Sequence, residues 1–122
     1  PDYTQAYYSS GLAYYFLEDY EQAIELFGQV VELEPDYGYA YYFRANTRLT
    51  LEDYDLAIED YTKAIELDIE LGQSYYNRGV AHYTRGYQSK AIADVQTVLE
   101  VSDDPAMLER AEEVLRSLGV SP

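Results

Sequence analysis

The stretch LEDYEQAIELF, Leu17 to Phe27, returns as LEDYDLAIEDY, Leu51 to Tyr61, with seven of eleven letters unchanged and 34 residues between the two starts. A helix repeats its pattern every three or four residues and a strand every two, so a return after 34 is the period of a whole supersecondary unit. Laying the chain on this period puts Ala23, Ala57 and Ala91 in one register position and Ile24, Ile58 and Ile92 in the next. Tyr7, Tyr41 and Tyr75 share another, Tyr8, Tyr42 and Tyr76 the one after it, and Gly11, Ala45 and Gly79 a further one. Three copies are therefore present. Units of this size bury their apolar faces by stacking on one another, not each around a core of its own.

Each copy reads as a pair of helices. The first members are expected over residues 4–17, 38–51 and 71–85, the second over 21–34, 54–68 and 88–101. In the second members apolar residues recur at helical spacing, as in Ala23, Phe27, Val30 and Leu33. Gly11, Ala45 and Gly79 are expected to pack against Ala23, Ala57 and Ala91, because a larger side chain in either set forces the paired helices apart. Beyond the third copy, Asp104 can accept the free N–H groups of a helix start and Pro105 suits its first turn. Met107, Leu108, Ala111, Val114, Leu115 and Leu118 then fall on one stripe, opposite Glu109, Arg110, Glu112, Glu113 and Arg116, and Gly119 is a natural stop. The polar face is not basic, so this seventh helix reads as a cap on the last repeat and not as a membrane-surface helix.

The pattern of aromatic, small residue, alanine, aromatic and proline met by Tyr7, Gly11, Ala23, Phe27 and Pro35 resembles the tetratricopeptide repeat. The second copy departs in having Ala45 for glycine and Ile69 for proline; the third has Val95 for the second aromatic and Gln88 where Tyr20 and Tyr54 stand. The resemblance implies an all-α fold, an α-solenoid in which antiparallel helix pairs wind into a right-handed superhelix. One domain is expected over 1–122, with repeats at about 4–37, 38–71 and 72–105 and a capping helix at about 105–118. The opening Pro1-Asp2-Tyr3 matches Pro35-Asp36-Tyr37 at the same interval, which raises the expectation of a longer parent protein.

Charge narrows the functions. With 23 acidic against 8 basic side chains the formal net charge is −15, and a surface of that sign repels nucleic acid. No apolar run approaches the roughly 20 residues of a membrane span. Without cysteine there is neither a disulfide framework nor a thiolate metal site. The single histidine, His82, shares a register position with Tyr14 and Arg48 and has no nucleophile pattern around it, while the carboxylates lack the spacing of a calcium loop. No Gly-rich phosphate loop is present. The chain reads as neither an enzyme nor a cofactor carrier.

One charged pattern follows the repeat. Arg44 and Arg78 share a position and so do Asp60 and Asp94, where the first copy has Ser10 and Leu26. Charge thus appears in both positions or in neither, which predicts an Arg44–Asp60 and an Arg78–Asp94 pair; the competing role is a ligand clamp.

The resemblance also implies a concave face lined by the first helices. Every one of the 23 acidic residues lies outside windows 4–17, 38–51 and 72–85, whereas Arg44, Arg48, Arg78 and Arg85 lie inside or at the edge of them. That face is therefore expected to be aromatic and neutral to slightly basic. The expected groove residues are Tyr8, Leu12, Tyr15, Phe16, Tyr39, Tyr42, Phe43, Asn46, Gln73, Tyr76, Asn77 and Tyr83, with Tyr8, Tyr42 and Tyr76 as a ladder of contact rings and Tyr7, Tyr41 and Tyr75 as core. Tyrosine suits recognition because a stiff apolar ring carries a hydrogen-bonding tip. The family's carboxylate clamp for acidic chaperone tails is missing: its positions hold Tyr8, Leu12, Phe43, Gln73 and Asn77. A peptide or helix with apolar anchors is the expected partner, and self-association through the first repeat's exposed face is the alternative.

Overall fold

The computed structural model describes residues 3–121, so the Pro1–Asp2 part of the terminal match lies outside them. Among the described residues there are seven helices and no strand: α1 (Tyr3–Phe16), α2 (Tyr20–Leu33), α3 (Gly38–Thr50), α4 (Tyr54–Glu66), α5 (Leu71–Thr84), α6 (Gln88–Val101) and α7 (Pro105–Ser117). The stretch that repeats in the sequence is the turn inside each pair and the helix after it. Glu18, Glu52 and Gly86 hold the same register position, and all three have positive φ, at 63°, 62° and 84°. The next residue closes the turn, with the N–H groups of Asp19, Asp53 and Tyr87 donating to the carbonyls of Tyr14, Arg48 and His82 at 2.9, 2.8 and 2.8 Å. This left-handed cap satisfies carbonyls that the helix end would otherwise leave bare. At the other end of the chain, Asp104 Oδ1 accepts from the Ala106 N–H at 3.1 Å and Gly119 turns out of α7 at φ 77°.

Helices of a pair pack on each other, and each second helix packs on the first helix of the next pair. α1 also touches α3, α3 touches α5 and α5 touches α7, whereas α2, α4 and α6 do not touch one another. The odd helices therefore form the tighter, inner layer of a curved solenoid, and α7 completes that layer. Its Met107, Ala111 and Leu115 bury against Val95 and Val98, as the stripe in the sequence requires.

The small residues make the close contacts, with a shift of partner. Ala45 does share a core cluster with Ala57, together with Tyr61. Gly11 instead lies under the ring of Phe27: a Cβ there would stand 2.7 Å from Phe27 Cε1. At Gly79 the nearest group is Val95 Cγ2, 3.1 Å from the same hypothetical atom, with the Ala91 carbonyl oxygen at 3.4 Å. Glycine therefore makes room for the side chain that follows four residues after the repeated alanine, and not only for the alanine.

Candidate functional site

The arginines are placed first, because they decide the charge of the inner face. Arg44 donates from Nε and Nη2 to Asp60 at 2.8 and 2.9 Å, and Arg78 does the same to Asp94 at 2.8 and 2.7 Å. Both predicted pairs form, each as a bidentate fork on a buried carboxylate. Arg44 reaches towards Gly28 of α2 and Arg78 donates to Thr62 Oγ1 of α4 at 3.1 Å, so each fork also spans to the preceding repeat. Arg48, four residues after Arg44 on one helix face, adds a third bond to Asp60 at 2.8 Å that the pairing of register positions does not show. His82 takes Arg48's place in the third repeat, with Nε2 3.6 Å from Asp94 and Nδ1 buried without a partner among the described residues. Burial lowers the His82 pKa from its ordinary value, Asp94 opposes this, and Arg78 and Lys90 add to it. Arg85 pairs with Asp55 at 2.8 Å. All four arginines are thus engaged by carboxylates, and the slightly basic inner face anticipated from their positions is neutralised.

At the centre of the inner layer, Tyr15, Tyr42, Asn46, Leu49, Thr50, Gln73 and Asn77 line a pocket of about 270 Å³. It joins α1, α3 and α5 and contains no charged side chain. A chain of amides and one phenol holds it in shape. The Tyr61 hydroxyl, rising from α4, donates to Asn46 Oδ1; Asn77 Nδ2 donates to Asn46 Oδ1 at 3.2 Å and to the Tyr61 oxygen at 3.1 Å; Gln73 Nε2 donates to Asn77 Oδ1 at 2.9 Å. Burial raises the pKa of Tyr15, Tyr42 and Tyr61 alike, and hydrogen bonds from Asn46 to the first two, and from Asn77 to the third, oppose the rise. These phenols stay neutral, so the pocket presents amide and hydroxyl groups that both donate and accept.

The three rings of the expected tyrosine ladder lie in different surroundings. Tyr42 is only 9% exposed and belongs to the core cluster of Ala45, Ala57, Tyr61 and Ala64, while it also lines the central pocket. Tyr8 is half-buried against Phe27, Tyr37 and Phe43, and burial pushes its hydroxyl up to about 12. Tyr76 lies half-buried beneath the Arg110 guanidinium, 5.7 Å from its ring centre. The physical reason is that position 8 and its equivalents point into the seam between successive pairs, where rings fill space. Tyr41 and Tyr75, expected as core, are half-buried against core clusters and also carry the guanidinium groups of Arg44 and Arg78, at 5.7 and 5.4 Å.

Of the remaining expected residues, Leu12 packs on the first-repeat core and Phe43 bridges that core to the next, its ring meeting those of Tyr8, Tyr15, Phe27, Tyr39 and Tyr42. Tyr39 is 41% exposed beside the pocket, and its hydroxyl donates to Glu70 at 3.1 Å, which raises its pKa. Glu70, outside the sequence windows, thus brings a carboxylate to the groove edge. Phe16 stands 72% exposed against Tyr15 and lines neither inner pocket. Tyr76 and Tyr83 line a second pocket of about 440 Å³ between α5, α6 and α7, with Gly79, Val80, Val95, Val114 and Leu118. No helix among the described residues is long and apolar enough to cross a membrane.

Comparison with known proteins agrees with this geometry. The sequence profile of the family described as Tetratricopeptide repeat matches residues 8–71 and again 45–106. No curated protein matches the chain by sequence. Among solved structures, the chain is similar to an Arabidopsis OM64 TPR domain, with 24% identity, a TM-score of 0.84, and 94% of this chain and 95% of that one covered. It is also similar to the Yersinia enterocolitica type III secretion chaperone SycD in complex with a peptide of the translocator YopD, at 20% identity and a TM-score of 0.87 over 98% and 94% of the two chains. A third is the first TPR of Spaghetti (RPAP3) bound to the HSP90 peptide SRMEEVD, at 20% identity and a TM-score of 0.82 over 95% and 93%.

Proposed function

Since the chain belongs to the tetratricopeptide repeat family, we propose that it is a protein-interaction module holding a peptide or short helix of a partner along the inner layer of the solenoid. The observation that carries this reading is the chain of polar groups from Asn46 through the buried Tyr61 and Asn77 to Gln73, of which Asn46, Gln73 and Asn77 line a pocket without a charged side chain. A peptide main chain offers N–H and C=O groups in alternation, and side-chain amides complement both. The aromatic surroundings of Tyr15, Tyr39 and Phe43 supply stiff contact area. Two neighbours in fold are described as bound to peptides, which agrees with the mode proposed. The carboxylate clamp is not the mode: the positions of the clamp hold Tyr8, Leu12, Phe43, Gln73 and Asn77, none of them a cation. Nothing in this reading asks for catalysis or a cofactor.

Selection from a phage-displayed library of random peptides, followed by calorimetry on the enriched sequences, tests the reading. Gln73→Ala and Asn77→Leu should each weaken the enriched peptides about 5- to 100-fold, as expected for a polar group left unmatched. Enrichment of acidic tails, or affinities that neither substitution alters, would sink it.

A specific observation also supports the self-association alternative. Ala6 and Ala13 of α1 are exposed, whereas their register equivalents Ala40 and Thr47 in α3, and Ser74 and Ala81 in α5, are buried. Tyr3 and Phe16 on the same helix, and Leu17 just after it, are exposed too. α1 carries no charged residue, so a second copy would meet least repulsion there. Ala13→Glu should then abolish any concentration-dependent rise in mass on sedimentation; a mass that never rises removes this reading.

A further inference from the structure

The third repeat departs from the other two at one core position, and the departure leaves a space. Phe27, Tyr61 and Val95 share a register position. Phe27 is fully buried with its ring over Gly11, and Tyr61 is fully buried beside Ala45 with its hydroxyl on Asn46. In the third repeat a two-methyl side chain takes the place of these rings, over Gly79, and Val80 takes the place of Asn46. The missing ring is not compensated from α7. Gly79, Val80 and Val95, with Val114 of α7 and Leu118 just after it, instead line the pocket of about 440 Å³.

We infer that this pocket is the seat for a phenylalanine- or leucine-sized side chain of a bound polypeptide, which fills from outside the place that Phe27 and Tyr61 fill from within. The inference rests on the groove reading and names a specific anchor for it. Apolar cavities of this kind take up apolar groups readily, and the volume lies in the range of ligand pockets. No charged side chain lines it. Of the hydroxyl-bearing side chains that line it, Ser117 donates to the Val114 carbonyl at 2.7 Å, while Tyr76 and Tyr83 add aromatic rings to the apolar lining.

Its position selects a groove-bound polypeptide as the occupant. Gln73 and Asn77 of the central pocket and Val80 of the apolar one lie three or four residues apart on α5, a single stripe on one helix face. At about 1.5 Å per residue, Val80 is only about 4.5 Å further along the axis than Asn77, so a main chain held at the amides delivers a neighbouring side chain to the pocket. Charge favours the same occupant. Arg110 stacks on Tyr76 at this end and has no ion pair among the described residues, which suits a neutral or acidic residue next to the anchor. A second copy would bring its own net charge of −15 against the same charge here.

The test uses the full chain, with N-acetyl-L-phenylalaninamide and N-acetyl-L-alaninamide as probes followed by amide NMR. The phenylalanine probe should give saturating shifts at Val80, Val95, Val114 and Leu118 with a dissociation constant of about 1 mM, the scale expected for a ligand of its size. The alanine probe should bind at least about tenfold more weakly. Val95→Phe should raise the melting temperature and abolish the response, because Gly79 admits a ring as Gly11 does. Should that variant fail to fold, Val80→Glu at a 38% exposed position should weaken the probe about tenfold or more without loss of structure. Equal responses to the two probes, or a folded Val95→Phe protein that binds as before, would overturn the inference. The two readings fail separately: library peptides that depend on Gln73 and Asn77 yet enrich no apolar anchor sink the pocket alone. Probe binding without any enriched peptide sinks the groove.

Discussion

Asp60 gathers two cations, and its removal is the sharpest test of the reasoning about charge. The carboxylate is 3% exposed and accepts three charge-assisted bonds, from Arg44 at 2.8 and 2.9 Å and from Arg48 at 2.8 Å. Asp60→Ala strands two guanidinium groups whose side chains are only 16% and 17% exposed. Breaking a buried pair by removing one partner costs about 3–5 kcal/mol; partial access of water to the arginines puts the expected value near 3 kcal/mol. At about 4 °C per kcal/mol for a chain of this length, the melting temperature should fall by about 12 °C. Asp94→Ala is the internal comparison. It removes two bonds from one guanidinium, and its other neighbour is a histidine held neutral by burial, so the loss should be about 1 kcal/mol smaller. Circular dichroism melts and urea titrations of both variants supply the numbers. A loss below about 1 kcal/mol for Asp60→Ala, the range of surface pairs, would refute the idea that these forks hold the repeats together. So would Asp94→Ala costing as much as Asp60→Ala.

His82 should make stability depend on pH: its folded pKa lies below the ordinary 6.5, so the unfolded chain binds the proton more readily. Stability is then intact above about pH 6.5 and is lost as pH falls towards the folded pKa, a slope that His82→Gln should remove; an NMR titration giving His82 a pKa at or above 6.5 contradicts this. Gly11→Ala should destabilise by about 1–3 kcal/mol, since its Cβ would press to 2.7 Å on a buried ring, whereas Gly79→Ala, at 3.1 Å from a methyl, should come out near zero after the gain of about 1 kcal/mol in helix propensity. Chemical denaturation that ranks them the other way round rejects the packing argument. Tyr42→Ala should cost about 3–5 kcal/mol and Tyr39→Ala less than about 1 kcal/mol, because one ring is core and the other 41% exposed; equal melting curves would return Tyr42 to the groove surface.

The sequence by itself determined the unit, its number of copies and its charge pairs. A period of 34 with fixed small and aromatic positions carries the resemblance that implies stacked helix pairs, and Arg44–Asp60 and Arg78–Asp94 are legible because both partners appear and vanish together in the register. The cap was legible too, from its own stripe and from Asp104 and Pro105. Only the tertiary structure decided which rings are groove and which are core. Position along the chain fixes the helix face to within a residue or so, but Tyr8, Tyr42 and Tyr76 sit at the border between two faces, and the neighbouring helix decides the outcome. Charge showed the same limit at two of the four arginines: the register leaves Arg48 and Arg85 without partners, whereas Asp60 takes Arg48 as well as Arg44 and Asp55 reaches in from α4 to Arg85. The pocket at the third repeat stands between the two cases. Val95 in an aromatic position is visible in the sequence, but whether α7 fills the space or leaves it open depends on how a packed neighbour meets it, and packing is settled in three dimensions.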